Sequence, residues 1–143
     1  MLKIKLVNPE RILFEEEAKS FTVPTVTGEI TILPNHVPIV SALADGVAEL
    51  QRVDGSIEEI AIAGGTLEVE DDNRLIILAD MAERGEELDL SVIEEAKTRA
   101  EKLLAETSIT DEEQYADAVA YMSRELAKYK AAMKYRQRKG LAK

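Results

Sequence analysis

The 143-residue sequence has no cysteine and no tryptophan, a single histidine and only four prolines. Without cysteine there is no disulfide, thiolate zinc site or cysteine nucleophile, a usage that fits a reducing compartment. One histidine, His36, leaves a histidine-based metal site without its second ligand. A Ser-His-Asp arrangement would have to use His36 itself, and no G-x-S-x-G elbow is present. Neither G-x-x-x-x-G-K-S/T nor G-x-G-x-x-G occurs, so the ordinary phosphate cradles are missing too. No stretch approaches the roughly 20 apolar residues that cross a bilayer, and Met1-Leu2-Lys3-Ile4-Lys5 lacks the apolar region of a signal peptide. The expectation is a protein that is not an enzyme, holds no metal or cofactor, and meets a membrane only through partner proteins.

What the sequence does have is 45% hydrophobic residues, enough to fill a core, and a net charge of −10 that is unevenly spread. Seven bases and no acid lie in residues 128–143: Lys128, Lys130, Lys134, Arg136, Arg138, Lys139 and Lys143. The other residues carry 11 bases against 28 acids. Such a body repels nucleic acid and anionic membrane, and it has few aromatics for stacking bases. The basic end either complements the dipole of a helix C-terminus or seeks an acidic surface on a partner. The run Glu15-Glu16-Glu17 reads as a solvated edge or loop.

Punctuation divides the chain near Gly85, because all four prolines and six of the seven glycines precede or occupy that position. Before it, short β-rich runs alternate with turn signals about every ten residues, the grammar of an antiparallel sandwich. Candidate strands are 2–7, 11–14, 18–23, 28–33, 46–53, 57–63, 66–70 and 75–80. Alternation in Glu49-Leu50-Gln51-Arg52-Val53 and Glu59-Ile60-Ala61-Ile62 turns one face of each run to a core. Asp54-Gly55 between them supplies a tight hairpin turn, Asp71-Asp72-Asn73 supplies another, and Gly64-Gly65 reads as a bend between two strands.

After Leu88 the apolar period changes to between three and four, with no glycine or proline until Gly140. One helix can begin with Ser91 and Glu94 as a capping box, carry the stripe Ile93, Ala96, Ala100, Leu103, Leu104, and end at Thr107-Ser108-Ile109. A second begins at Thr110-Asp111-Glu112-Glu113 and runs to about Arg138. Its stripe of Tyr115, Val119, Met122, Leu126, Tyr129 and Met133 has heptad spacing. The fold expected is α+β: an N-terminal antiparallel β-sandwich over 1–86 and a C-terminal α-helical hairpin over 87–143. The second helix, about 40 Å long at 1.5 Å per residue, exceeds its alanine-rich partner. Its seam packs either on that partner and the sandwich alone or, in part, on another protein.

Four motifs in order carry a more specific likeness. Gly28-Glu29-Ile30-Thr31-Ile32-Leu33-Pro34-Asn35-His36-Val37-Pro38 is followed by Ala63-Gly64-Gly65-Thr66-Leu67-Glu68-Val69, then Ile77-Leu78-Ala79-Asp80, then Ala82-Glu83-Arg84-Gly85. Together with the two helices they resemble the epsilon subunit of the F-type ATP synthase over nearly the whole chain. The resemblance implies a sandwich at the foot of the central stalk, bound to the gamma subunit and the membrane c-ring of a proton- or sodium-translocating complex. It implies an interface at Glu29, Pro34, His36 and Pro38, with Glu29 near the ring and His36 near gamma; His36 can alternatively serve only its own turn.

It further implies that the hairpin exchanges a folded form for an extended one that reaches the alpha and beta subunits and suppresses ATP hydrolysis. Lys128, Lys130, Lys134, Arg136, Arg138 and Lys139 are then the inhibitory contacts. Some family members bind regulatory ATP at a pattern of Ile or Leu, Asp, two variable residues, Arg, Ala. Here Leu88-Asp89-Leu90-Ser91-Val92-Ile93 puts Val92 where the arginine belongs, and an apolar side chain cannot pair with phosphate. Arg99 and Arg124 are the guanidinium groups left to act with Asp89. The implied location is the cytoplasmic face of a bacterial plasma membrane, with the plastid thylakoid as the other setting. A free-standing adaptor of the same shape that binds helical proteins is the alternative.

Overall fold

The computed structural model describes residues 1–108 and 110–140. The expected helix end at Ile109 and the base Lys143 lie outside the described residues. Eight strands form the body: β1 (Leu2–Val7), β2 (Ile12–Ala18), β3 (Ser20–Thr25), β4 (Gly28–Ile32), β5 (Ile39–Ala42), β6 (Gly46–Gln51), β7 (Ile57–Val69) and β8 (Arg74–Arg84). A single 3-10 turn at Gly85–Glu87 leads to α1 (Leu90–Glu106) and α2 (Glu112–Arg138). This is the expected β-sandwich followed by two helices.

The strands hydrogen-bond in the order β2-β1-β8-β7-β6-β3-β4, with β5 also on β7. All pairs are antiparallel except β1 and β8, which run parallel. Far apart in sequence, those two are free of the reversal that a hairpin imposes. β7 and β8 are long because they serve both layers. Residues 57–62 of β7 pair with β6 and residues 66–69 with β5, while β8 follows alongside. The transfer is made at Gly64-Gly65, whose φ angles are 67° and 112°. A Cβ at Gly65 would lie 2.0 Å from the Leu78 carbonyl oxygen, so only glycine permits this approach. The bend anticipated there is present, inside one continuous strand instead of between two.

Leu50, Ile60, Ile62, Leu67, Leu75 and Ile77 are fully buried between the layers. Removing each from water stabilises the sandwich by roughly 1.5–3 kcal/mol. Asp54-Gly55 closes the β6–β7 hairpin, with Gly55 at φ 89°, and Asp72 and Asn73 at φ 62° and 61° close β7–β8. The Glu15-Glu16-Glu17 run lies on edge strand β2, with Glu15 and Glu17 opposite Lys5 and Lys3 of β1. β5 had no signature in the sequence. It has four residues beside Pro38, and its outward Val40 is 73% exposed, so no alternation marks it.

Both helices are capped one or two residues earlier or later than expected. Asp89, not Ser91, caps α1, accepting from the Ser91 and Val92 N–H groups. Asp111, not Thr110, caps α2 through the Gln114 N–H. In each case a carboxylate two or three residues ahead of free N–H groups meets them better than the neighbouring hydroxyl. The stripe Ile93, Ala96, Ala100 of α1 is buried, whereas Leu103 is 48% exposed. In α2 the buried positions are Ala118, Glu125, Ala127, Ala131 and Ala132. The heptad seam is only half-buried, and its Val119 is 42% exposed. A heptad count assumes one neighbour, but α2 has two, α1 on one side and the β6–β7 sheet on another. Close approach to the sheet selects alanine.

Candidate functional site

α2 lies on the outer face of β6 and β7, where Ala131 packs with Val47 and Ala61, and Met81 and Leu88 close the sides. Gly85 allows the contact, since a Cβ there would meet the Ala131 carbonyl oxygen at 3.0 Å and that of Glu59 at 3.1 Å. Around this small apolar centre the basic end of α2 pairs with acids of the sandwich. Arg138 grips Glu59 through two hydrogen bonds, Nε to Oε1 at 2.6 Å and an NH2 nitrogen to Oε2 at 3.0 Å. Glu59 is 3% exposed, and its carboxylate holds the Arg138 guanidinium above its ordinary range. Lys134 lies 3.6 Å from Glu49, and Lys128 3.4 Å from Glu83 and 3.5 Å from Glu125. Farther along, the Ser123 hydroxyl donates to Asp45.

Of the six bases expected to reach an acidic partner, Lys128, Lys134 and Arg138 thus meet the chain's own sandwich. Lys130 and Lys139 are exposed, and Arg136 is half-buried. The acids that receive them, Glu49, Glu59 and Glu83, were not singled out in the sequence. A signal was present, because Asp54-Gly55 sets the hairpin register that brings Glu49 opposite Glu59. Two like charges on one face are unfavourable until a cation covers them.

The other site residues lie elsewhere. Glu29 is exposed beside the β3–β4 turn, whereas Pro34, His36 and Pro38 occupy the loop at the far end of β4. In that loop Asn35 has φ 69° and the His36 N–H donates to the Leu33 carbonyl, as in a type II turn with proline at its second position. Val37 accepts a bond of 2.7 Å from His36 Nδ1. The Asn35 N–H donates to Asn73 Oδ1 at 2.6 Å, tying the loop to the β7–β8 turn. Leu33 and Val37 are 55% and 68% exposed, an apolar rim around the histidine.

Asp89, Arg99 and Arg124 are not brought into one cavity. Asp89 is engaged in capping α1 and borders a hollow of about 210 Å³ with Val92 and Glu125. Arg124 borders a different hollow with Asp45, Gly64 and Asp80, and Arg99 is exposed on α1. Among the described residues no group of three or more His, Cys, Asp or Glu is arranged to hold a metal ion, and no helix is long and apolar enough to cross a membrane.

The chain is thus an α+β protein, a β-sandwich with a helical hairpin moored to it by the basic end of α2. Residues 1–85 match the family described as ATP synthase, Delta/Epsilon chain, beta-sandwich domain. The ATP synthase epsilon chain of Moorella thermoacetica is 37% identical over 131 residues, 92% of this chain and 96% of its own. That of Desulfitobacterium hafniense strain Y51 is 46% identical over 103 residues, 72% and 76% of the two chains. A chain in the Euglena gracilis mitochondrial ATP synthase (OSCP/F1/c-ring, rotational state 1) shares the fold with a TM-score of 0.76. It is 20% identical, over 95% of this chain and 81% of that one. The protein belongs to the ATP synthase epsilon chain family, and its function is that of this subunit of the rotary synthase.

Proposed function

We propose that this chain is a non-catalytic subunit that couples the central stalk to the membrane ring and restrains ATP hydrolysis through α2. The sandwich, residues 1–86, rides on the rotor, with Glu29 toward the c-ring and Pro34, His36 and Pro38 toward gamma. The hairpin, residues 87–143, rests on the sandwich in one state. In the other it rises so that Lys128, Lys130, Lys134, Arg136, Arg138 and Lys139 reach the alpha and beta subunits. The protein sits at the cytoplasmic face of a bacterial plasma membrane, held there by its partners.

What carries this reading is the way α2 is attached. Its contact with the sheet is one small apolar cluster around Ala131, separate from the sandwich core, surrounded by ion pairs that water can replace. Detaching it uncovers little apolar surface, so a second surface of similar area can hold it at small net free energy. Truncation after Ala127 in the assembled complex tests the proposal. Hydrolysis should rise while synthesis stays coupled; unchanged hydrolysis would refute the inhibitory role.

A further inference from the structure

Glu49 of β6 and Glu59 of β7 are direct cross-strand partners, a pairing that repels when left alone. Among the described residues no cation of the sheet pairs with either carboxylate. The cations come from α2, where Lys134 and Arg138 are four residues apart, one helical turn, and land on Glu49 and Glu59 respectively. The turn of the helix thus matches a single cross-strand pair. The two contacts are unequal: Lys134 and Glu49 are 50% and 44% exposed, whereas Arg138 and Glu59 are 29% and 3% exposed.

We infer that Glu49 and Glu59 form a two-carboxylate receiver for Lys134 and Arg138, and that Arg138–Glu59 is the latch that sets how often α2 leaves the sandwich. This rests on the reading above that α2 has a docked and a detached state. When α2 lifts, Glu59 loses its bidentate partner and faces Glu49 without a cation, so release is opposed twice. The same guanidinium is then free for a carboxylate elsewhere, which makes the latch and any inhibitory contact of Arg138 mutually exclusive. A solvent-exposed pair such as Lys134–Glu49 adds little to the holding force.

The absence of native cysteine allows spin labels at Val26→Cys and Lys130→Cys, both exposed positions, in the full chain. Double electron–electron resonance then reads the docked and detached populations. Arg138→Gln and Glu59→Gln should each raise the ratio of detached to docked chains on the order of 10- to 100-fold, the range for a charge-assisted bidentate contact. Lys134→Gln should change it by less than about fivefold. The exchange Glu59→Arg with Arg138→Glu should restore much of the docked state lost in either single reversal. Arg138 lies in the last turn of α2, so its variant leaves the sandwich core untouched if Glu59→Gln should fail to fold. An unchanged distribution in Arg138→Gln, or reversals that do not rescue each other, would overturn the latch. If Glu59→Gln, which leaves every proposed inhibitory base of α2 in place, shifts the populations as stated but does not lower hydrolysis by the assembled complex, the latch stands and the inhibitory role falls.

Discussion

Glu58 and Glu59 are neighbours on β7 whose carboxylates leave the strand on opposite faces, each to its own arginine. Glu58 turns inward and accepts from Arg84 at 2.6 Å and from Arg52; Glu59 turns outward to Arg138. Both acids are nearly fully buried. The period of two in a strand lets adjacent residues of one type serve two structures, the sandwich and the docked helix.

Glu58 therefore belongs to the stability of the sandwich. Arg84 also lies over the Phe14 ring at 5.3 Å and donates to the Leu13 carbonyl, so the network reaches β2. Glu58→Gln leaves two arginines facing a neutral amide, and unfolding in urea should show a loss of about 3 kcal/mol. Docking of α2 should be preserved.

Gly65 and Gly55 both have positive φ but different surroundings. A Cβ on Gly65 meets backbone at 2.0 Å, whereas one on Gly55 meets nothing within 4 Å. Gly65→Ala should destabilise the sandwich by about 3 kcal/mol or more, through strain and overlap together. Gly55→Ala should cost about 1 kcal/mol, the conformational part alone. Equal midpoints of thermal unfolding for the two would contradict this account.

Acid should loosen the start of α1. Hydrogen bonds to Asp89 from the Ser91 hydroxyl, the Val92 N–H and the Ser91 N–H hold its carboxyl below the ordinary 3.8. A depressed value in the folded state means stability that is whole above pH 3.8 and lost as pH falls through the folded value. Amide exchange at Ser91 and Val92 should accelerate in that range. Asp89→Asn, which also caps, should abolish the pH dependence while keeping much of the protection at neutral pH.

Ala131 controls the distance between helix and sheet. It is fully buried against Val47 and Ala61, with its carbonyl close to Gly85. Ala131→Leu adds volume where there is none and should weaken docking by about 1–3 kcal/mol. The loss should appear as faster amide exchange in residues 125–138, with the sandwich's own unfolding midpoint little changed. A comparable fall in that midpoint would mean that helix and sandwich unfold as one unit.

Local chemistry in the sequence was sufficient for the helices and for the sandwich apart from β5 and the continuity of β7, because alternation, Asp54-Gly55 and the change of period after Leu88 act over a few residues. It was also sufficient for membership in the family, through four ordered motifs. Tertiary structure alone decided which side of α2 is inside. The heptad stripe looked like the buried seam, yet the sheet approaches the alanine side, since contact with a flat β surface rewards small residues and a sequence period does not reveal a second neighbour. It alone decided where the basic end goes. Charge counting identifies a cationic segment but not its partner. That partner depends on a hairpin register that sets Glu49 beside Glu59 and on a helix whose one-turn spacing brings Lys134 and Arg138 over both.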